Sequence, residues 1–431
     1  MILNANQQTS SVAAEDPWPP LKTIVVPDSN STPLGFLVIH SLVQGLACGG
    51  IRMASDVTLA EVAGLAKAMT CKYSFFSIWL GGAKSGIILP PHSSKDERNR
   101  RLKLFGRTLS PVIKSTYLPG RDMGIQSEDL RIILEAAGQK PSTAYKDQSG
   151  FLAAFGVFRV LRAVADHLNL SIEKLRIVLE GFGNVGQPLA DQLKKAGAKI
   201  VGVSTFSGGI YNPNGLDIDH LKRLAETHGD DSVKHYHDAE KMERSEMFQL
   251  PADVLIPGAR AWSIHKDNAA SIPARVVLPA ANIPVTIDAE TILHQKGCLI
   301  IPDFVSTSGT AIGSGLIQEG YSFHDALQIM ERIYDFHMKR LLKTYKAGNL
   351  SLIEQARRIA FRRYSKIQQE NRRRRESKMG LIVSKLNANR DLRTVAQNIG
   401  SKLYCSLRWH SIPWLKDAAI ARACNMLTRY E

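Results

Sequence analysis

"LRIVLEGFGNVGQPLADQLKKAGAKIVGVS", residues 175–204, joins a run of β-branched and apolar residues to a G-x-G-x-x-G, a helix-compatible stretch and a second apolar run. A lone G-x-G-x-x-G is weak evidence, but between a strand and a helix, in a unit of about 30 residues, it reads as a dinucleotide cradle. Gly181 permits the tight turn, Gly183 lets the backbone approach a pyrophosphate, and Gly186 allows close packing of helix on strand. Unpaired N–H groups at the start of the helix attract phosphate oxygens, which adds Asn184 and Val185 to the candidate cofactor-binding residues. The bland alternative is a glycine-rich turn that binds nothing.

Such a site usually ends its second strand in an acid that accepts hydrogen bonds from the adenosine ribose. Here "KIVGVS" runs into Thr205 and Phe206, with no acid, and "STFSGG" offers no arginine for a 2′-phosphate. Thr205 is therefore the candidate at that position; NAD is the expected cofactor, with NADP not excluded. Downstream, "ADVLIPGA", "ARVVLPAANIPVT" and "GCLIIPDFVSTSG" are further short apolar strands separated by helix-compatible segments, the rhythm of a doubly wound parallel sheet. Ligands bind at the carboxyl ends of such strands, which puts Asn282 near the nicotinamide end. From spacing alone, a turn-forming residue before Pro284 is the favoured explanation of Asn282.

The 431 residues exceed what one core usually supports. The expected fold class is α/β with two domains: an N-terminal α/β substrate domain over 20–150, completed by helices at about 320–370, and a Rossmann-type dinucleotide-binding domain over 151–319. A basic helical extension follows over 371–431. The net charge of +15 belongs largely to the C-terminal part, since residues 351–431 hold 18 Lys+Arg against 6 Asp+Glu. No apolar run reaches the roughly 20 residues of a membrane span, and the amino terminus lacks the parts of a secretory signal. The five cysteines are scattered and form no CxxC pair, so neither a disulfide framework nor a metal site is indicated. A cytoplasmic protein is the plain reading.

A second stretch, "CKYSFFSIWLGGAKSG" at 71–86, sets lysines twelve positions apart around an apolar run. Val62, Leu65, Ala66 and Met69 recur at helical spacing, and Lys72 continues their face, whereas Lys67 falls on the opposite side. Lys84 follows in what reads as a glycine-flanked turn, and Asp122 lies in a loop, "PGRDMGIQSED". An isolated lysine is usually a snorkelling surface residue, and an isolated aspartate is usually a turn former.

Taken in order, "GLACGGIRM", "GLAKAMTCK", "GGAKSG", "RDMG", "GFGNVG", "GGIYNPNGLD" and "AAN" resemble the glutamate, leucine, phenylalanine and valine dehydrogenase family, over about residues 35 to 370. The resemblance implies an NAD(P)-dependent, reversible oxidative deamination of an L-amino acid to a 2-oxo acid and ammonia. It implies that Lys72 binds the substrate α-carboxylate, that Lys84 is the catalytic lysine, and that Asp122 is the proton-transferring carboxylate. It also implies that the backbone of Gly49 and Gly50 lines the substrate pocket and that the protein is a homo-oligomer. The residue types suit the chemistry. A carboxylate needs a fixed cation, and a desolvated lysine near another cation has its pKa lowered toward neutrality.

Glutamate-specific members carry a lysine before the glycine pair, whereas leucine-type members carry an apolar residue. Cys48 stands there, so the resemblance is nearer the leucine-type branch and the expected substrate is an apolar or aromatic L-amino acid. Ser314 points weakly to glutamate. Departures cluster on the cofactor side: Ala153 replaces a threonine near the nicotinamide, Pro279 an acid, and "TSGT" at Thr307–Thr310 an "NAGG". They motivate the alternative of a catalytically weakened binding or regulatory protein. Its basic tail would be the only route to nucleic acid or anionic surfaces.

Overall fold

The computed structural model describes residues 18–139, 148–345 and 350–376; the tail beyond 376, with most of the expected basic extension, lies outside them. Two sheets organise the chain. The first contains β1 (Lys22–Pro27), β2 (Pro33–Ile39), β3 (Ala47–Ala54), β4 (Gly81–Ile88) and β5 (Tyr117–Arg121) in the order β1-β2-β4-β3-β5. β2 runs antiparallel to β1 and β4, while β3 is parallel to β4 and β5. Alternation along β2 divides the packing. Leu37 and Ile39 join Leu102, Phe105 and Ile133 on one face, and Phe36 and Val38 join Val62 and Ala66 on the other.

The Leu59–Phe75 helix makes the crossover from β3 to β4. Its first turn is capped by the Thr58 side chain, which accepts from the Glu61 N–H. The helix lies directly on β4: a Cβ on Gly82 would stand 2.2 Å from the Thr70 nitrogen. That contact corrects the sequence reading of "GGAKSG". The segment is a strand, buried almost throughout, because its backbone pairs with both β2 and β3 and its glycines admit the helix. The expected loop around 119–129 likewise begins as strand, and Asp122 is the first residue past β5.

The second sheet contains β6 (Arg176–Glu180), β7 (Lys199–Thr205), β8 (Gly208–Tyr211), β9 (Glu240–Met242), β10 (Val254–Pro257), β11 (Val276–Val277) and β12 (Leu299–Ile300), ordered β12-β11-β10-β6-β7-β8-β9. It is parallel from β12 to β7, with β8 and β9 added antiparallel. Ile177 and Leu179 face one core and Val178 the other, so β6 is buried on both sides. The chain reverses its lateral direction between β6 and β10, which creates a crevice at their carboxyl ends.

After the sheets, the Phe323–Thr344 helix packs on the Ser149–His167 helix, while Leu352–Glu376 returns to the Leu59–Phe75 helix. There the Arg363 guanidinium donates to the Phe75 carbonyl at that helix's end, and Gln368 Nε2 donates to the Leu42 carbonyl at 2.6 Å. Among the described residues no helix is long and apolar enough to cross a membrane.

Candidate active site

The three ionisable residues singled out from the sequence lie in the cleft between the sheets, on three different elements. Lys84 projects from β4, and its Nζ lies 3.1 Å from Asp122 Oδ2. Asp122 is held at the end of β5 by close packing on Gly50, where a Cβ would stand 2.9 Å from Asp122 Cβ. Gly49 is equally constrained, since a Cβ there would stand 1.6 Å from the Ala83 carbonyl oxygen. The Gly49 carbonyl accepts from the buried Tyr117 hydroxyl at 2.8 Å. Burial pushes the Lys84 ammonium below the ordinary lysine pKa, and nearby Arg52 adds repulsion, while Asp122 partly offsets both. Burial alone would raise the Asp122 carboxyl, but the charges of Lys84 and Arg52 reverse that and hold it well below the usual carboxylate range.

Lys72 reaches the same cleft from the inner face of the Leu59–Phe75 helix, as its helical phase requires. Its Nζ donates to Asn282 Oδ1 and to the Thr307 carbonyl, both at 3.0 Å, so the two halves of the molecule meet on one ammonium group. Thr307 Oγ1 is also 3.0 Å from Asn282 Oδ1. Asp303 fixes the next residue by accepting from the Ile283 N–H at 2.8 Å. Burial, reinforced by repulsion from Lys84, lowers Lys72 to about 8.

The glycine loop has the form expected of a phosphate cradle. Gly181 adopts φ +93°, a Cβ on Gly186 would stand 2.1 Å from the Gly181 carbonyl oxygen, and a Cβ on Gly183 would have nothing within 4 Å. Gly183 and Asn184 are exposed, with Val185 leading into the ten-residue Gly186–Lys195 helix. This arrangement fits the phosphates of a dinucleotide, with donors supplied by the helix start. Thr205 closes β7, but its hydroxyl donates to the Asp230 carbonyl at 2.6 Å and accepts from the Ser207 N–H. Beyond it Phe206 is 78 % exposed, with the Arg244 guanidinium 5.9 Å from its ring centre. The neighbouring Glu180 is buried and accepts from Ser263 Oγ at 3.1 Å; burial raises its carboxyl above the ordinary range.

Sequence reasoning missed Arg52, Glu61, Tyr117 and Asp303 as members of this cluster, and marked Thr307 only as a departure from the family's pattern. The signal for Arg52 was a charge inside the apolar strand "ACGGIRMA", and Arg52 is only 4 % exposed. Its Nε donates to Asp122 Oδ2 at 2.9 Å and its guanidinium to Glu61 Oε1 at 2.6 Å. For Tyr117 and Asp303 the sequence held no comparable mark.

A doubly wound sheet with a glycine cradle, facing a second sheet that with its crossover helix positions two buried lysines and an aspartate, defines a dinucleotide-dependent oxidoreductase. Residues 150–372 match the Glutamate/Leucine/Phenylalanine/Valine dehydrogenase family, and residues 24–139 match the Glu/Leu/Phe/Val dehydrogenase dimerisation domain. The chain belongs to this family and is an amino acid dehydrogenase. Glutamate dehydrogenase of Thermotoga maritima is 32% identical over 291 residues, 64% of this chain and 70% of that protein. NAD-specific glutamate dehydrogenase of Staphylococcus aureus is 31% identical over 293 residues, 64% of this chain and 69% of its own. Hetero-hexameric glutamate dehydrogenase from Thermus thermophilus, solved in a leucine-bound form, superposes with a TM-score of 0.69 at 27% identity, over 81% of this chain and 89% of that one.

Proposed function

We propose that the protein catalyses NAD(P)-dependent, reversible oxidative deamination of an apolar or aromatic L-amino acid. The observation that carries the reading is the convergence of the buried Lys72 and Lys84 with the half-buried Asp122 in one cleft opposite the glycine cradle, with Cys48 near Lys84 and Tyr117. Lys72 binds the α-carboxylate, exchanging its bonds to Asn282 and Thr307 for the substrate. Lys84 polarises the carbonyl or imine carbon and activates water, and its flanking strand backbone at Gly49 and Gly50 lines the pocket. Asp122 exchanges a proton with the amino nitrogen. Gly181, Gly183, Asn184, Val185 and Gly186 would cradle the dinucleotide, with Thr205 and Asn282 toward its two ends, and the bound group would supply the hydride acceptor. Residues 20–150, completed by helices at about 320–370, form the substrate side, and 151–319 the cofactor side. A homo-oligomer fits the matched dimerisation domain. A cytoplasmic location fits the five scattered cysteines, which form no CxxC pair.

Glutamate is the second reading, favoured by the names of the relatives. Against it stands Cys48, which offers no cation to a side-chain carboxylate. The two readings separate in a panel that follows NADH or NADPH oxidation with ammonium and branched, aromatic or acidic 2-oxo acids. Branched or aromatic acids should be preferred over 2-oxoglutarate, and Lys84→Met should abolish turnover. Cys48→Lys should improve kcat/KM for 2-oxoglutarate by about tenfold, the worth of one charge-assisted hydrogen bond. Preference for 2-oxoglutarate in the unaltered protein would overturn the apolar assignment, and inactivity on every acid with both cofactors would overturn the catalytic one.

A further inference from the structure

The cluster contains a cation that the proposed reaction does not use. Arg52 lies in β3, almost wholly buried, between Asp122 at the end of β5 and Glu61 in the first turn of the Leu59–Phe75 helix. Both Arg52 Nε, at 2.9 Å, and Lys84 Nζ, at 3.1 Å, engage the same oxygen, Asp122 Oδ2. No described protein group donates to Oδ1. A carboxylate held by one oxygen cannot turn about its Cβ–Cγ bond without breaking two charge-assisted bonds. Glu61 in turn fixes the guanidinium and offsets its charge, so a buried arginine is tolerated there.

Resting on the functional reading above, we propose that Arg52, steered by Glu61, is a positioning residue that pins Asp122 Oδ2 and so presents Oδ1 to the reacting nitrogen. The electrostatic consequence has a definite sign. Asp122 faces Lys84 from β4, Arg52 from β3, Lys72 from the helix and Tyr117 from β5; Arg52 also faces Glu61 and, more distantly, Asp56, and Lys84 also faces Cys48. Arg52 stabilises the Asp122 anion and repels the Lys84 ammonium. Its loss therefore raises the pKa of both groups; Asp122 stays ionised across the working range, so the limb of a pH profile that reports Lys84 is the one that moves, and it moves upward.

The test uses the full chain with Arg52→Met combined with Glu61→Gln, which removes the pair without stranding a buried charge, and Arg52→Lys as the conservative variant. For the double variant, kcat should fall about tenfold or more while KM for the 2-oxo acid, anchored by Lys72, changes little. The limb of the kcat/KM profile that reports Lys84 should move upward by about one pH unit, and Arg52→Lys should restore that limb but only part of kcat. A drop in activity with an unmoved Lys84 limb would reduce Arg52 to a structural residue and overturn the proposal. A second readout needs no turnover: the pH dependence of acetic anhydride labelling at Lys84, followed by peptide mass spectrometry, should shift upward in the double variant. Inactivity of the unaltered protein on all 2-oxo acids would sink the functional reading, and an unshifted labelling profile would sink this one.

Discussion

Lys72 shows how burial turns an ordinary lysine into a selective one. Its ammonium is kept in the cleft by two oxygens, Asn282 Oδ1 and the Thr307 carbonyl, neither of which carries a full charge. A carboxylate is a better partner than either, because it restores the charge compensation that burial withdrew. The lowered pKa, about 8, also sets a pH window. Below it the cation is present and the site can take an anion; above it each pH unit should weaken carboxylate binding about tenfold until another group takes over. Titrating an unreactive carboxylate analogue between pH 6.5 and 9.5 checks this, with affinity flat on the acid side and falling above about 8. Lys72→Met should cost about 10- to 100-fold in that affinity and remove the alkaline decline. An unchanged pH profile in Lys72→Met would show that a different group binds the carboxylate.

At the scale of elements, the cradle separates what a glycine does for folding from what it does for a ligand. Gly186 carries the helix against the strand, and its Cβ would collide with the Gly181 carbonyl oxygen, whereas Gly183 faces open space. Gly186→Ala should therefore lower the melting temperature as well as cofactor affinity. Gly183→Ala should leave the melting temperature within about 1 °C while weakening NAD(P)H binding at least several-fold, because its cost falls on backbone approach to the pyrophosphate. Thermal melts with and without cofactor distinguish the two. Equal destabilisation by both substitutions would contradict the division of labour. The same contrast explains what could be read in the sequence. The dinucleotide unit was legible because strand, glycines and helix lie within thirty residues, and Lys72 was legible because helical phase is local. Lys84 was misread as a turn residue, since the reason its glycine-rich segment is a strand lies in pairing with β2 and β3 and in the helix laid over Gly82. Arg52, Tyr117 and Asp303 act through partners 20 to 70 residues away, a separation that single-sequence patterns do not encode.

Across the whole molecule, the C-terminal helix and the cleft work on the same element. Leu352–Glu376 caps the Leu59–Phe75 helix through Arg363, and its Arg357 and Arg358 pair with Glu290 and Glu354, so part of the basic character expected of the tail is engaged within the chain. Facing it, the helix that carries Lys72 is tied to the dinucleotide side at a second point. Arg260, in the loop after β10, pairs with Asp56, just before the helix, across the cleft mouth. Both side chains are substantially exposed, so the pair is worth little to global stability and its effect should fall on the closed geometry of the cleft. Asp56→Arg should place two cations together and raise KM for the 2-oxo acid about two- to fivefold at low salt, with the melting temperature almost unmoved. Addition of 0.5 M NaCl should shrink the defect, because the screening length then falls to a few ångströms. Asp56→Arg combined with Arg260→Asp recreates the pair in reverse and should bring KM back toward its original value. A KM indifferent to the single reversal at low salt would show that the contact plays no part in closing the cleft, whereas rescue by the double reversal would tie substrate affinity to this one bridge between the two sheets.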